Sequence, residues 1–184
     1  MKELSLNILD VAQNSVKAGA TLIGVYLTQK DNILQIQITD NGCGMSEEVV
    51  QRVTNPFFTT RTTRSVGLGL PFFKEAAEQT GGSFKIESVT AEDDPVNHGT
   101  IVTATFDTAN IDCAPVGDMV STMVTNIQGA PDIDWDFRHI VDDKEVALDT
   151  REMREVLGED IPFDDFQVVS WMMEYLKEQY SNLL

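Results

Sequence analysis

The 184-residue chain is poor in the residues that hold metals or staple small folds. Its two cysteines, Cys43 and Cys113, lie far apart and form no CxxC spacing, so two reduced thiols are expected. The two histidines, His98 and His139, are also far apart, which argues against a zinc or iron centre. Basic residues are scarce: 13 Lys and Arg stand against 30 Asp and Glu, for a formal charge of −17. Phosphate neutralisation needs Lys and Arg, so binding to nucleic acid or an anionic membrane is not expected. No apolar run approaches the roughly 20 residues of a membrane helix. The opening "MKELSLNILD" is amphipathic with an early acid and does not resemble a signal peptide. A cytoplasmic protein is the expectation.

What is present suffices for one ordinary domain with a sizeable core. Charge divides the chain unevenly. Residues 1–109 hold 13 acids and 8 bases (net −5), and residues 110–184 hold 17 acids and 5 bases (net −12). Two structural parts with those boundaries are expected, the second an acidic α/β extension with a possible partner-docking or dimerising role.

In the first part, Leu4, Ile8, Val11, Ala12, Ser15 and Val16 recur at helical spacing, so residues 3–18 read as a helix ending at Gly19. "TLIGVYLTQ" and "DNILQIQITD" read as two strands around a tight polar turn, with Leu34, Ile36 and Ile38 alternating against polar neighbours. Ser46, followed by Glu47 and Glu48, starts a short helix. A further helix runs from Leu68 to Thr80 and stops at Gly81-Gly82. "SFKIESV" and "GTIVTATF" complete the set as two more strands. The expected class is α+β: a two-layer α/β sandwich, helices on one face of a mixed, mostly antiparallel sheet. After Ala114 the pattern predicts a helix ended by Gly129, a hairpin turning at Asp142-Asp143, a short helix capped by Thr150, and a last helix. That last helix carries Phe166, Val169, Met172, Met173 and Leu176 as a core stripe.

Chemistry gathers in the first part. Asp10, Asn14 and Lys17 share a helix face at i, i+4 and i+7. An amide oxygen suits a hard cation that keeps several waters, an ammonium suits phosphate, and a carboxylate can orient or deprotonate a nucleophile. "DNGCGM" follows a strand directly. There Asp40 can accept from an exocyclic amine, while Gly42 and Gly44 let a flat ligand approach the backbone. A plain β-turn would use the same residues. "PFFTTRTTRSVGLGL", Pro56 to Leu70, combines hydroxyls, two arginines and two glycines ahead of a helix. Backbone N–H groups at that helix start can face an anion.

The order of these pieces resembles the GHKL superfamily, the ATP-binding fold of gyrase, the ninety-kilodalton heat-shock chaperones, histidine kinases and the MutL proteins. "DVAQNSVKAGA", "DNGCGM", "PFFTTR", "GLGL" and "HGTIVTATF" look like its N, G1, F, G2 and G3 boxes, over roughly residues 1–108. The resemblance implies ATP and Mg²⁺ as ligands. Asn14 would hold Mg²⁺ and Lys17 would lie near the phosphates. Asp40 would accept from the adenine amino group, helped by Thr100 through a water, in a pocket shaped by Gly42, Gly44 and Met45. Phe58, Thr59, Thr60 and Arg61 would belong to the lid. Gly67, Leu68, Gly69 and Leu70 would offer backbone N–H groups to the phosphates. One position departs from the pattern: four before Asn14, where chaperone and MutL branches carry a glutamate base and many sensor kinases an asparagine, this chain has Asp10.

Nothing ahead of the N box supplies a phosphoacceptor helix, so the expectation is a stand-alone histidine-kinase-like module of bacterial regulation. It would transfer the γ-phosphoryl group to a partner protein or to water. The alternative is a nucleotide-sensing module with negligible catalysis, in which ATP or ADP sets the affinity for a regulatory partner.

Overall fold

The computed structural model describes residues 3–55, 57 and 68–183. In chain order the elements are α1 (Leu4–Lys17), β1 (Leu22–Lys30), β2 (Ile33–Asp40), α2 (Glu47–Val53), α3 (Gly69–Gln79), β3 (Ser83–Val89) and β4 (Gly99–Asp107). They continue with α4 (Met119–Gly129), β5 (Asp134–Val141), β6 (Lys144–Asp149), α5 (Thr150–Leu157) and α6 (Phe166–Leu183). The strands form one six-stranded sheet in the order β3-β4-β2-β1-β5-β6. All neighbours are antiparallel except β1 and β5.

Register explains why one face is a core. Val25 sits opposite Ile38 and Phe137, Ile38 opposite Val102, and Phe137 opposite Leu148, so alternate residues of five strands form continuous apolar rows. These rows are buried beneath α1, α3 and α4, whose Ile8, Phe73 and Met123 are fully covered. The opposite face is polar, with Gln37 donating to Thr103 across β2 and β4. The result is the two-layer, mostly antiparallel α/β sandwich expected. No helix among the described residues is long and apolar enough to cross a membrane.

Residues after 110 add to this sheet. β5 pairs with β1 over eight positions, and β6 folds back through a turn at Asp142, which takes φ of 53°. The buried apolar side chains of α4, β5, β6 and α6 join one cluster with those of α1 to β4.

Local signals explain most boundaries. Ser46 Oγ accepts from the Val49 N–H at the start of α2. Gly81, at φ of 82°, follows the end of α3. Two sequence expectations are corrected. Asp149, not Thr150, caps α5, accepting from the Arg151 N–H. Thr150 is buried and turns inward, where its hydroxyl accepts from the Trp135 N–H. Phe166 is 82% exposed at the start of α6, while Phe163, three residues earlier, takes the core position. Phe163 lies in the loop ahead of α6, where the helical spacing that picked out Phe166 does not apply.

Candidate functional site

The apolar rows become polar at one end of the sheet. Asp40 continues the row of Ile36 and Ile38. Its cross-strand partner is Thr100, and Thr100 pairs in turn with Ser88. These three polar side chains therefore belong to the helix-covered face, beneath α1. With Asn14, Ser15 and Lys17 of α1, Met45 of the following loop and Leu70 of α3, Asp40 and Thr100 line a cavity of about 240 Å³.

Asp40 is held by two donors. Ser15 Oγ donates to its Oδ2 at 2.6 Å, and the Gly42 N–H donates to its Oδ1 at 2.9 Å. Both carboxylate oxygens keep a free lone-pair direction. Thr100 Oγ1 lies 2.7 Å from Ser88 Oγ, and that hydroxyl also accepts from the Met45 N–H at 2.8 Å. The Ser88 side chain thus ties the β4 end of the pocket to the loop that closes it.

The loop of residues 40–45 is pinned on every side. The Asn41 carboxamide accepts from the Thr21 and Leu22 N–H groups. The Cys43 N–H donates to the Ala18 carbonyl, and the Cys43 carbonyl accepts from the Ala91 N–H. His98 Nδ1 meets the Gly42 carbonyl. Gly44 adopts φ of 72°, and a side chain there would overlap the Val89 carbonyl. Gly42 lies against Ala18, so a Cβ there would press on the C-terminus of α1. The glycines let the loop pass between a helix end and a strand end.

Two features near α1 suit an anionic ligand with a cation. One end of the Asn14 amide, Nδ2 as placed, is buried with no hydrogen-bond partner among the described residues. Amide ends interchange by a flip, so this position can present a donor or an oxygen ligand. Second, α3 begins at Gly69 after Leu68, with no side-chain cap and no acid in its first turn. Its first N–H groups carry the positive end of the helix dipole. Gly69 lies close enough to α1 that a Cβ on it would approach the Cβ of Asp10 to 3.0 Å. Asp10 therefore stands where α1 meets the start of α3, outside the described cavity lining. Partial burial raises its carboxyl above the usual aspartate value, and the Lys17 ammonium pulls the other way. An amide free to bind, an uncapped helix start, an ammonium and a clamped carboxylate are a donor set that fits a magnesium nucleotide.

The structure thus brings together Asn14, Lys17, Asp40, Gly44, Met45, Leu70 and Thr100 around one cavity, with Gly42 in the loop against Ala18 and Leu68 and Gly69 at the helix start. Phe58, Thr59, Thr60, Arg61 and Gly67 lie outside the described residues. Ser15 and Ser88 were missed. Ser15 falls at an apolar-stripe position of α1 and Ser88 ends an alternating strand. A hydroxyl where the pattern calls for a hydrophobe was the available signal in both.

Residues 2–110 match the model of the family described as histidine kinase-, DNA gyrase B-, and HSP90-like ATPase. The chain belongs to that family, and these residues form its ATPase domain. Curated relatives include the sensor protein KdpD of Clostridium acetobutylicum, 36% identical over 95 residues. That alignment covers 48% of this chain and 10% of KdpD. The tetrathionate sensor histidine kinase TtrS of Salmonella typhimurium is 30% identical over 99 residues, covering 54% of this chain and 16% of TtrS. The chain thus spans a small fraction of the relatives it matches. Among solved structures, a mycobacterial sensor histidine kinase, MprB, aligns at 28% identity with a TM-score of 0.42, over 54% of this chain and 66% of that one.

Proposed function

We propose that the cavity binds ATP with Mg²⁺, and that the protein transfers the γ-phosphoryl group to a partner protein or to water within a bacterial regulatory system. The observation that carries this reading is the convergence of Asp40, Asn14 and the uncapped start of α3 on one cavity. Asp40, oriented by Ser15 and Gly42, accepts from the adenine amino group, and Thr100 supports it across the strand pair. Asn14 is the cation ligand, and Lys17 offers a point charge to the phosphates. The N–H groups of Gly69 and Leu70 face the phosphate chain, with Leu68 ahead of them; by the family resemblance Gly67 would add a backbone donor, and Phe58, Thr59, Thr60 and Arg61 would serve as lid residues. A bound Mg²⁺ supplies charge neutralisation on the phosphate oxygens, which with positioning is most of what phosphoryl transfer requires. Asp10 is the candidate base, standing at the α1–α3 contact. The sensor kinases among the relatives support a signalling setting.

The second reading keeps the same pocket without turnover. Bound ATP or ADP would then set affinity for a regulatory partner. The departure at Asp10 favours it, because aspartate is one methylene shorter than glutamate and its reach to a water is shorter. Two measurements separate the cases. ATP with Mg²⁺ should raise the melting temperature, and Asp40→Asn should abolish that rise; no shift in the native protein would sink both readings. Phosphate release or labelling of a partner by γ-labelled ATP, lost in Asp10→Ala, supports transfer. Undiminished binding with no release in either protein leaves the sensor.

A further inference from the structure

A second concavity lies at the β6 edge of the sheet, where β5 and β6 meet α5 and α6. Its volume is about 580 Å³. Apolar walls come from Val156 and Leu157 of α5, Ile161 of the following loop, and Val168, Trp171 and Tyr175 of α6. Trp171 and Tyr175 stack with ring centroids 5.0 Å apart. Val156 is 83% exposed and Trp171 45%, so large apolar surface stands in water here without serving the core. A contiguous patch of this kind marks an interaction site.

The surroundings of the groove define its occupant. Residues 150–178 hold eight exposed carboxylates: Glu152 and Glu155 on α5, Glu159, Asp160, Asp164 and Asp165 in the loop, Glu174 and Glu178 on α6. None of them is in an ion pair among the described residues. The arginines nearby are already taken: Arg138, which lines the groove, binds Asp136 at 3.3 Å, Arg151 binds Asp149 at 2.8 Å and Arg154 binds Asp134 at 2.9 Å. Glu152 lines the groove, and the other seven stand on the same two helices and loop as its apolar walls; apolar walls among unpaired carboxylates complement a surface with apolar anchors and Lys or Arg beside them. A second copy of this chain, at −17, meets these carboxylates with like charge, and an anionic membrane does the same.

The edge of the sheet narrows the choice further. β6 is the edge strand, but Gln179 of α6 takes both the N–H and the carbonyl of Ala147. Strand addition is thereby obstructed at the middle of β6, which leaves docking of a helix into the groove. We infer that this groove is a docking site for a basic amphipathic helix of a partner protein. The inference stands on the groove and these carboxylates, independently of the nucleotide pocket.

The test uses the full chain and a synthetic helical peptide of about 18 residues, leucines on one face and lysines on the other. Its glutamate-for-lysine counterpart is the control. The lysine peptide should bind and change Trp171 fluorescence, weaken with added salt, and exceed the glutamate peptide by at least about tenfold. Trp171→Ser combined with Val156→Ser should lower its affinity by about tenfold or more, with circular dichroism and the ATP-induced melting shift retained. Glu152→Lys with Glu155→Lys, on exposed positions that do not risk the fold, should weaken it by a similar factor. Equal binding to the groove variants, or to the glutamate peptide, would overturn the inference. So would a native dimer that Trp171→Ser dissociates, which would give the face to a second copy.

Discussion

Ser15 Oγ donates a 2.6 Å hydrogen bond to Asp40 Oδ2, joining the last turn of α1 to the end of β2. This bond, with that from the Gly42 N–H, aims the carboxylate. Ser15→Ala removes one of the two aiming donors and little volume. ATP affinity with Mg²⁺ should fall about fivefold, on the order of 1 kcal/mol for one hydrogen bond. Calorimetric titration checks this, and the unliganded melting temperature should move far less than the nucleotide shift does.

Gly44 occupies a conformation, φ of 72°, and a space that a side chain cannot share with the Val89 carbonyl. Gly44→Ala should cost about 2 kcal/mol or more from backbone strain and overlap together. Gly81, also at positive φ but in open space, provides the contrast. Gly81→Ala should cost about 1 kcal/mol, from strain alone. Urea unfolding of the two variants measures the difference.

The Asp10 carboxyl lies above its usual value because partial burial outweighs attraction to Lys17. A base acts in its ionised form, so activity should fall as pH drops through this pKa. Lys17→Met removes the lowering influence and should shift the acid limb of the phosphate-release profile to higher pH. A Lys17 variant with an unmoved limb would assign that limb to another group.

His139 is buried between β5 and α6, its Nδ1 bound to the Tyr180 hydroxyl at 2.8 Å. Burial lowers its pKa from 6.5 to about 4. The unfolded chain therefore takes up a proton that the folded one refuses. This contribution is whole above pH 6.5 and is lost as pH falls toward 4. Between pH 7.5 and 5 the native protein should lose about 2 kcal/mol more than His139→Gln. Denaturant melts at the two pH values provide the check.

The nucleotide half of the molecule was legible for a local reason. "DVAQNSVKAGA", "DNGCGM" and "GLGL" each encode one helix face, one tight turn or one helix start, and their chemistry is written in consecutive residues. Alternation in "ILQIQITD" likewise predicted which face β2 buries, because a strand repeats every two residues. Less was legible where partners are distant in the chain. Alternation puts Ser88 in the row of Phe84 and Ile86, but only its pairing with Thr100 shows that this row ends at the pocket. Phe163, ahead of α6, fills the core position that helical spacing gives to Phe166.

The sequence by itself determined the identity and order of the binding elements, since helix faces, strand alternation and glycine turns are set by near neighbours. Only the tertiary structure decided that Asp40 is aimed by Ser15, that β5 extends the sheet through a parallel pairing with β1, and that α5 and α6 leave an apolar groove open. Register and packing join residues tens of positions apart, and no local period carries that information.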